Sequence, residues 1–267
     1  MPNHVTNYLT VSGDPNSIKQ LKELVKGEDQ QFFDFNKIIP MPKELEGTTS
    51  PTRIVSQAEY DEKLRLKNEG KLHEFETLPI TQAMFDDYRQ RFGFTDWYSW
   101  RTNHWDTKWN CYSINADNWD SENTIVFQTA WSTPLAIFEE LSRKFPDLSI
   151  SVRYYDEDFG SNVGEFTLCG GEMEDQNIPD NLEDGLRLAV DISGDDYQYT
   201  EGLCEYEEEE NNGEYVNCLI KLAHENGVLL ENYPIFVLKK LKALAIRSEQ
   251  YERVIEINNL INKKRGK

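Results

Sequence analysis

Residues 124–155 read TIVFQTAWSTPLAIFEELSRKFPDLSISVRYY, and their pattern decides the fold. Ile125, Phe127, Thr129 and Trp131 fall on one side of an alternating strand over Thr124–Trp131. Thr133-Pro134 follows as a cap and first helical residue, and Leu135, Phe138, Leu141 and Phe145 form the apolar stripe of a helix. Pro146-Asp147 stops it. Leu148, Ile150, Val152 and Tyr154 then alternate with Ser149, Ser151, Arg153 and Tyr155, which predicts a second half-buried strand. Working outward, Asn110–Ala116 reads as a strand joined to the first by the polar turn 117–123. Val163–Cys169 reads as one after the second. Near the start, Val5, Asn7, Leu9 and Val11 alternate with Thr6, Tyr8 and Thr10. Gly13-Asp14-Pro15 opens a helix with Asp14 as N-cap, carrying Ile18, Leu21, Leu24 and Val25 inward and ending at Gly27. With one intervening segment removed, the order is βαββαβ plus one strand. This is the split βαβ of a ferredoxin-like fold, an α+β antiparallel sheet with both helices on one face.

The intervening segment is placed at about 43–109, within a domain over residues 1–170. It follows an apolar extended stretch over Phe32–Met41. A loop over Gly47–Thr52 and helices over Ser56–Glu69 and Ile80–Phe92 are expected. Trp97–Trp109 then holds four of the six tryptophans of the chain. Residues 171–267 are read as an acidic β/loop region followed by C-terminal helices. A strand is expected over Leu186–Ile192, a loop or solvated helix end around Glu207–Glu210, and helices over Tyr215–Asn226, Pro234–Ile246 and Glu249–Lys264.

Composition bounds the function. The net charge of −20 is concentrated between Tyr154 and Ile220, where twenty acidic residues face a single base, Arg187. Such a surface attracts basic partners and repels nucleic acid and anionic membranes. Cys111, Cys169, Cys204 and Cys218 form no Cys-x-x-Cys pair, which fits buried free thiols in a reducing compartment. The opening Met1-Pro2-Asn3-His4 lacks the basic-then-apolar pattern of a secretory signal, and no run of about 18 apolar residues suggests a membrane span. A cytoplasmic protein without a membrane partner is expected.

Three segments together resemble the YubB-type family of plasmid, phage and bacterial proteins with a ferredoxin-like domain. They are Met1-Pro2-Asn3 through Asn7-x-Leu9-x-Val11-x-Gly13, then Phe33-Asp34-Phe35-Asn36-Lys37-Ile38-Ile39-Pro40-Met41-Pro42, and then Trp105-x-Thr107-Lys108-Trp109 with Thr129-Ala130-Trp131-Ser132-x-Pro134 and Phe145-Pro146. The resemblance covers residues 1 to about 170. Where such chains often carry glycine before the threonine, this one has Asp106. The resemblance implies the same fold and supplies no chemistry.

Trp105, Lys108, Trp109 and Trp131 are the candidate ligand- or partner-binding residues. A lysine among indoles can stack on one, or present its ammonium to an anionic group beside aromatic walls. The competing reading makes these tryptophans the core of the insert. His104-x-Asp106, with His4 or His73, falls short of a zinc site, and the acidic clusters lack calcium-loop spacing. No metal or cofactor is expected. Cys111 has no evident catalytic partner, and no nucleotide or hydrolase motif is present. The expectation is a non-catalytic binding or protein-interaction module, meeting its partner through the aromatic insert or, for a basic partner, the acidic middle region. Two alternatives stand beside it. One is a small-molecule enzyme or ligand-binding domain with a pocket near Trp105, Lys108 and Trp131. The other is a single-stranded nucleic-acid binder using Tyr8, Arg153 and Tyr155 on the open sheet face, which the acidic charge and the missing RNP motif disfavour.

Overall fold

The computed structural model describes residues 2–28, 31–71, 77–158, 160–194 and 251–266, with isolated positions between 229 and 246. It divides into two compact units, residues 1–157 with 165–177, and residues 158–164 with 178–267.

The first unit is built on β1 (His4–Gly13), whose burial alternates residue by residue as the sequence pattern requires. Helix α1 (Pro15–Val25) follows, with the Asp14 carboxylate accepting from the backbone N–H groups of Asn16 and Ser17. After the insert come β4 (Tyr112–Asn115), β5 (Thr124–Ala130), α5 (Leu135–Lys144) and β6 (Leu148–Asp156). The sheet begins in the order β4-β5-β1-β6, with β1 antiparallel to both β5 and β6 and β4 antiparallel to β5. Strand β1 thus lies between strands made more than a hundred residues later, which is the ferredoxin-like arrangement. Strands β7 (Gly164–Cys169) and β8 (Glu172–Asn177) extend the sheet beyond β6.

One face of this sheet carries the core. Val5, Leu9 and Val11 of β1, Ile125 and Phe127 of β5, and Ile150 and Val152 of β6 are sealed together with Ile18, Leu21 and Val25 of α1 and Ile137, Phe138 and Leu141 of α5. The turn from β1 into α1 is tight. Gly13 has φ 136°, and a Cβ there would lie 2.7 Å from Leu148 Cδ2 and 3.0 Å from the Asp147 carbonyl.

Two boundaries differ from the sequence reading. Pro134 takes the N-cap position of α5 instead of its first turn, because Thr133 and Pro134 belong to the link that leaves β5. Ile80–Thr81 is the short strand β3, paired in parallel with β2 (Ile54–Val55), and Thr81 caps α3 (Gln82–Phe92) by accepting from Met84 N–H. Strand β8 has no counterpart in the sequence reading. All six of its residues are exposed, so no apolar alternation marks it.

The insert holds α2 (Gln57–Asn68), α3 and α4 (Trp97–His104). Helix α2 buries none of its residues. By contrast, Leu45, Ile80, Tyr88, Trp100 and Trp105 join the core of the sheet. The insert is part of this unit's core.

In the second unit the expected strand over Leu186–Ile192 is a helix, α6 (Leu182–Ser193). The apolar positions 186, 188, 190 and 192 mimic a strand period. Asn181 caps the start by accepting from Asp184 N–H, and Gly194 ends the helix at φ 66°, so the termini decide it. Gly185 within α6 lets its backbone approach residue 160, where a Cβ would overlap the Gly160 carbonyl oxygen. A helix over Tyr251–Lys264 agrees with the C-terminal expectation and buries Ile257 and Ile261. The Glu207–Glu210 run, the helix over Tyr215–Asn226 and most of Pro234–Ile246 lie outside the described residues.

Candidate interaction surface

The motif residues around Trp105 and Trp131 are brought together by hydrogen bonds between two connecting segments. Thr107 Oγ1 donates to the Ala130 carbonyl at 2.8 Å and accepts from Ala130 N–H at 3.1 Å. Asp106 accepts from Ala136 N–H at 2.7 Å, near the start of α5, and its carbonyl accepts from the Ser132 hydroxyl. Thr129 Oγ1 accepts from the buried Asn7 amide at 2.9 Å and donates to the Ser132 carbonyl at 2.7 Å. Trp131 N–H donates to the Asn3 carbonyl at 2.9 Å. The lock holds two residues in left-handed conformations, Asp106 at φ 59° and Trp131 at φ 73°. This is the region where glycine is at home, which gives the Asp106 position its physical meaning.

The four candidate residues separate into two places. Trp105 is fully buried. Its indole N–H donates to the Ile39 carbonyl at 2.9 Å, and its ring meets Phe35 and Trp100 edge-on at 5.7 Å each. It is core, as the competing reading held, and it lines no surface. Lys108, Trp109 and Trp131 do come together. Lys108 Nζ sits 4.8 Å from the Trp109 ring centroid and 5.1 Å from that of Trp131. Trp131 is 42 % exposed. Tyr98 meets its edge at 5.9 Å, and Tyr112 meets Trp109 at 6.1 Å. Tyr112 in turn shares a 2.6 Å hydrogen bond with His4 Nδ1, and burial, then the field of Glu157, pushes its hydroxyl up to about 12.

A second cation sandwich lies on α4. Trp97, Arg101 and Trp105 are spaced by four and share a helix face. The Arg101 guanidinium carbon is 5.2 Å from the Trp97 ring centroid and 5.0 Å from that of Trp105. Burial pushes its pKa down, opposed by the field of Glu46. Trp97 touches Tyr98 edge-on at 5.8 Å, so the two sandwiches are joined through Trp97, Tyr98 and Trp131. Sequence reasoning missed Arg101 and Tyr98. The i, i+4, i+8 spacing of Trp97, Arg101 and Trp105 is the signal that marks Arg101.

The remaining candidates hold structural places. His104 stacks on Trp100 at 4.2 Å and hydrogen-bonds its carbonyl. Among the described residues no three His, Cys, Asp or Glu side chains gather as a metal site, and His73 is outside them. Cys111 donates to the Phe33 carbonyl at 3.0 Å, and burial pushes its thiol up to about 12. A nucleophilic cysteine needs the opposite shift. A cavity of about 490 Å³ opens beside α1, lined by Ser12, Gly13, Ile18, Lys19, Lys22 and Asp120, away from the aromatic surface. On the outward sheet face Tyr8 pairs across strands with Arg153, and Thr6 with Tyr155. Arg153 donates to Glu165 at 3.0 Å, which offsets its charge. Among the described residues no helix is long and apolar enough to cross a membrane.

Residues 104–215 match the family model described as a ferredoxin-like domain in Api92-like protein. The match is similarity over less than half of the chain. It starts at the end of α4 and takes in β4 to β8 and α6, so it leaves out β1 and α1, which complete the sheet observed here, and extends beyond residue 170. No curated protein and no solved structure matches this chain.

Proposed function

We propose that this chain is a non-catalytic protein-interaction module whose first unit holds its partner on the surface formed by Tyr98, Lys108, Trp109 and Trp131. The observation that carries this reading is Trp131. A bulky indole held at φ 73° costs about 1 kcal/mol or more relative to ordinary backbone, yet 42 % of the residue remains exposed. Strained and exposed aromatics concentrate where recognition needs them, and tryptophan is the residue most enriched among binding hot spots. Lys108 supplies charge. Among the described residues it makes no ion pair, whereas Arg53, Arg65, Arg91 and Arg143 all do. A partner that presents apolar groups beside a carboxylate complements this surface. The shared motif order also supports a YubB-type affiliation, and the scattered cysteines without a Cys-x-x-Cys pair support a cytoplasmic setting, as parts of the same proposal.

The test is affinity capture with the tagged chain and three variants, Trp131→Ala, Lys108→Ala and Tyr155→Ala, each checked by circular dichroism. A partner lost with the first two and kept with the third supports the surface. A partner kept by folded Trp131→Ala refutes it.

A further inference from the structure

Arg101 is the most unusual charged group of the first unit. Its guanidinium is clamped between two indoles, and its Nε is sealed from water without a hydrogen-bond partner. Among the described residues it makes no salt bridge, although the chain carries 48 acidic residues against 28 basic ones. A desolvated, unpaired cation is unfavourable, and two cation–π contacts replace only part of the lost hydration. Such a group is satisfied by an anion that arrives with a ligand. The residue as a whole is half-buried, and Nε, not either Nη, is the guanidinium nitrogen sealed from water without a partner, which leaves the Nη edge of the fork for a ligand.

Resting on the interaction reading above, we propose that Arg101 is the receptor for a single carboxylate presented by the partner, with Trp97 contacting the group that carries it. The planar fork matches a carboxylate in bidentate geometry. One guanidinium in the field of Glu46, within a strongly acidic chain, favours a monoanion over a phosphate dianion or a polyanion. The edge contacts from Trp97 through Tyr98 to Trp131 make this position continuous with the Lys108 surface.

The full chain is titrated at constant ionic strength with N-acetylglycine, with its uncharged amide N-acetylglycinamide, and with inorganic phosphate, reading tryptophan fluorescence and Tm. N-acetylglycine shifts the emission and raises Tm by about 2–3 °C at a few times its Kd, while the amide and phosphate do neither. Arg101→Gln abolishes the response, and Arg101→Lys, which keeps the charge without the fork, weakens it about tenfold. No response in the wild type, an equal response to the amide, a stronger response to phosphate, or an unchanged response in Arg101→Lys each overturns the assignment. The probe needs no partner, so this result is independent of the capture experiment. Loss of capture by Trp131→Ala without a carboxylate response leaves the module and removes Arg101 from it.

Discussion

Truncating Trp105 and Trp131, two tryptophans of the same motif, separates core from recognition. Trp105→Ala removes a side chain with no exposed area. Tryptophan truncation in a core costs about 3–5 kcal/mol. The Ile39 carbonyl also loses its indole donor at 2.9 Å, which adds about 1 kcal/mol once water reaches it. The sum, about 4–6 kcal/mol, is a large share of the 5–15 kcal/mol typical of a whole domain. Trp131→Ala is different. With 42 % of the residue already in water, it gives up partial burial, one edge contact and one cation–π contact, about 1–2 kcal/mol together. The left-handed φ persists with alanine, so no strain is relieved. Urea denaturation followed by far-ultraviolet circular dichroism measures both. At about 2–4 °C per kcal/mol for a unit of this size, Trp105→Ala lowers Tm by about 8–24 °C and Trp131→Ala by about 2–8 °C. Trp105→Phe, keeping a ring but no N–H, falls between them. Equal losses for Trp105→Ala and Trp131→Ala would refute the division of the motif into a buried half and a surface half.

Two further outcomes test the framework. Gly13→Ala places a methyl 2.7 Å from Leu148 Cδ2 at φ 136°, and the turn must shift to accept it, at a cost of about 2–4 kcal/mol in urea denaturation; a neutral result would mean that the β1–α1 turn is not built as described. Cys111 resists iodoacetamide near pH 8 in the native protein and reacts after denaturation, as peptide mass spectrometry will show. Its folded pKa is raised from about 9 to about 12, so the neutral-thiol contribution to stability is fully present below pH 9 and is lost as the pH rises toward 12. Cys111→Ala therefore makes the alkaline fall of the unfolding midpoint shallower, and an unchanged slope would count against a desolvated thiol at this position.

The sequence determined the local elements of the first unit and their order. Period-two alternation in Val5–Val11 and Leu148–Tyr154, and caps such as Asp14, are local signals, because strand faces and orphan helix N–H groups depend on near neighbours. The βαββαβ order then restricted the sheet to few topologies. Where local signals conflicted or were absent, the sequence failed. Leu186–Ile192 alternates like a strand, but its termini are helical, and β8 has no apolar face at all. For the candidate surface the sequence supplied the cluster and the tertiary structure sorted it. Trp105 and Trp131 share a motif, yet one is sealed in the core and the other is held outward by a lock joining Asp106 and Thr107 to Ala130, Ser132 and Ala136. Burial is set by contacts between residues far apart in the chain, and so is the lack of a salt bridge to Arg101 among the described residues. A linear pattern shows which side chains are present, but only their packing decides which charge goes unpaired and which indole meets water.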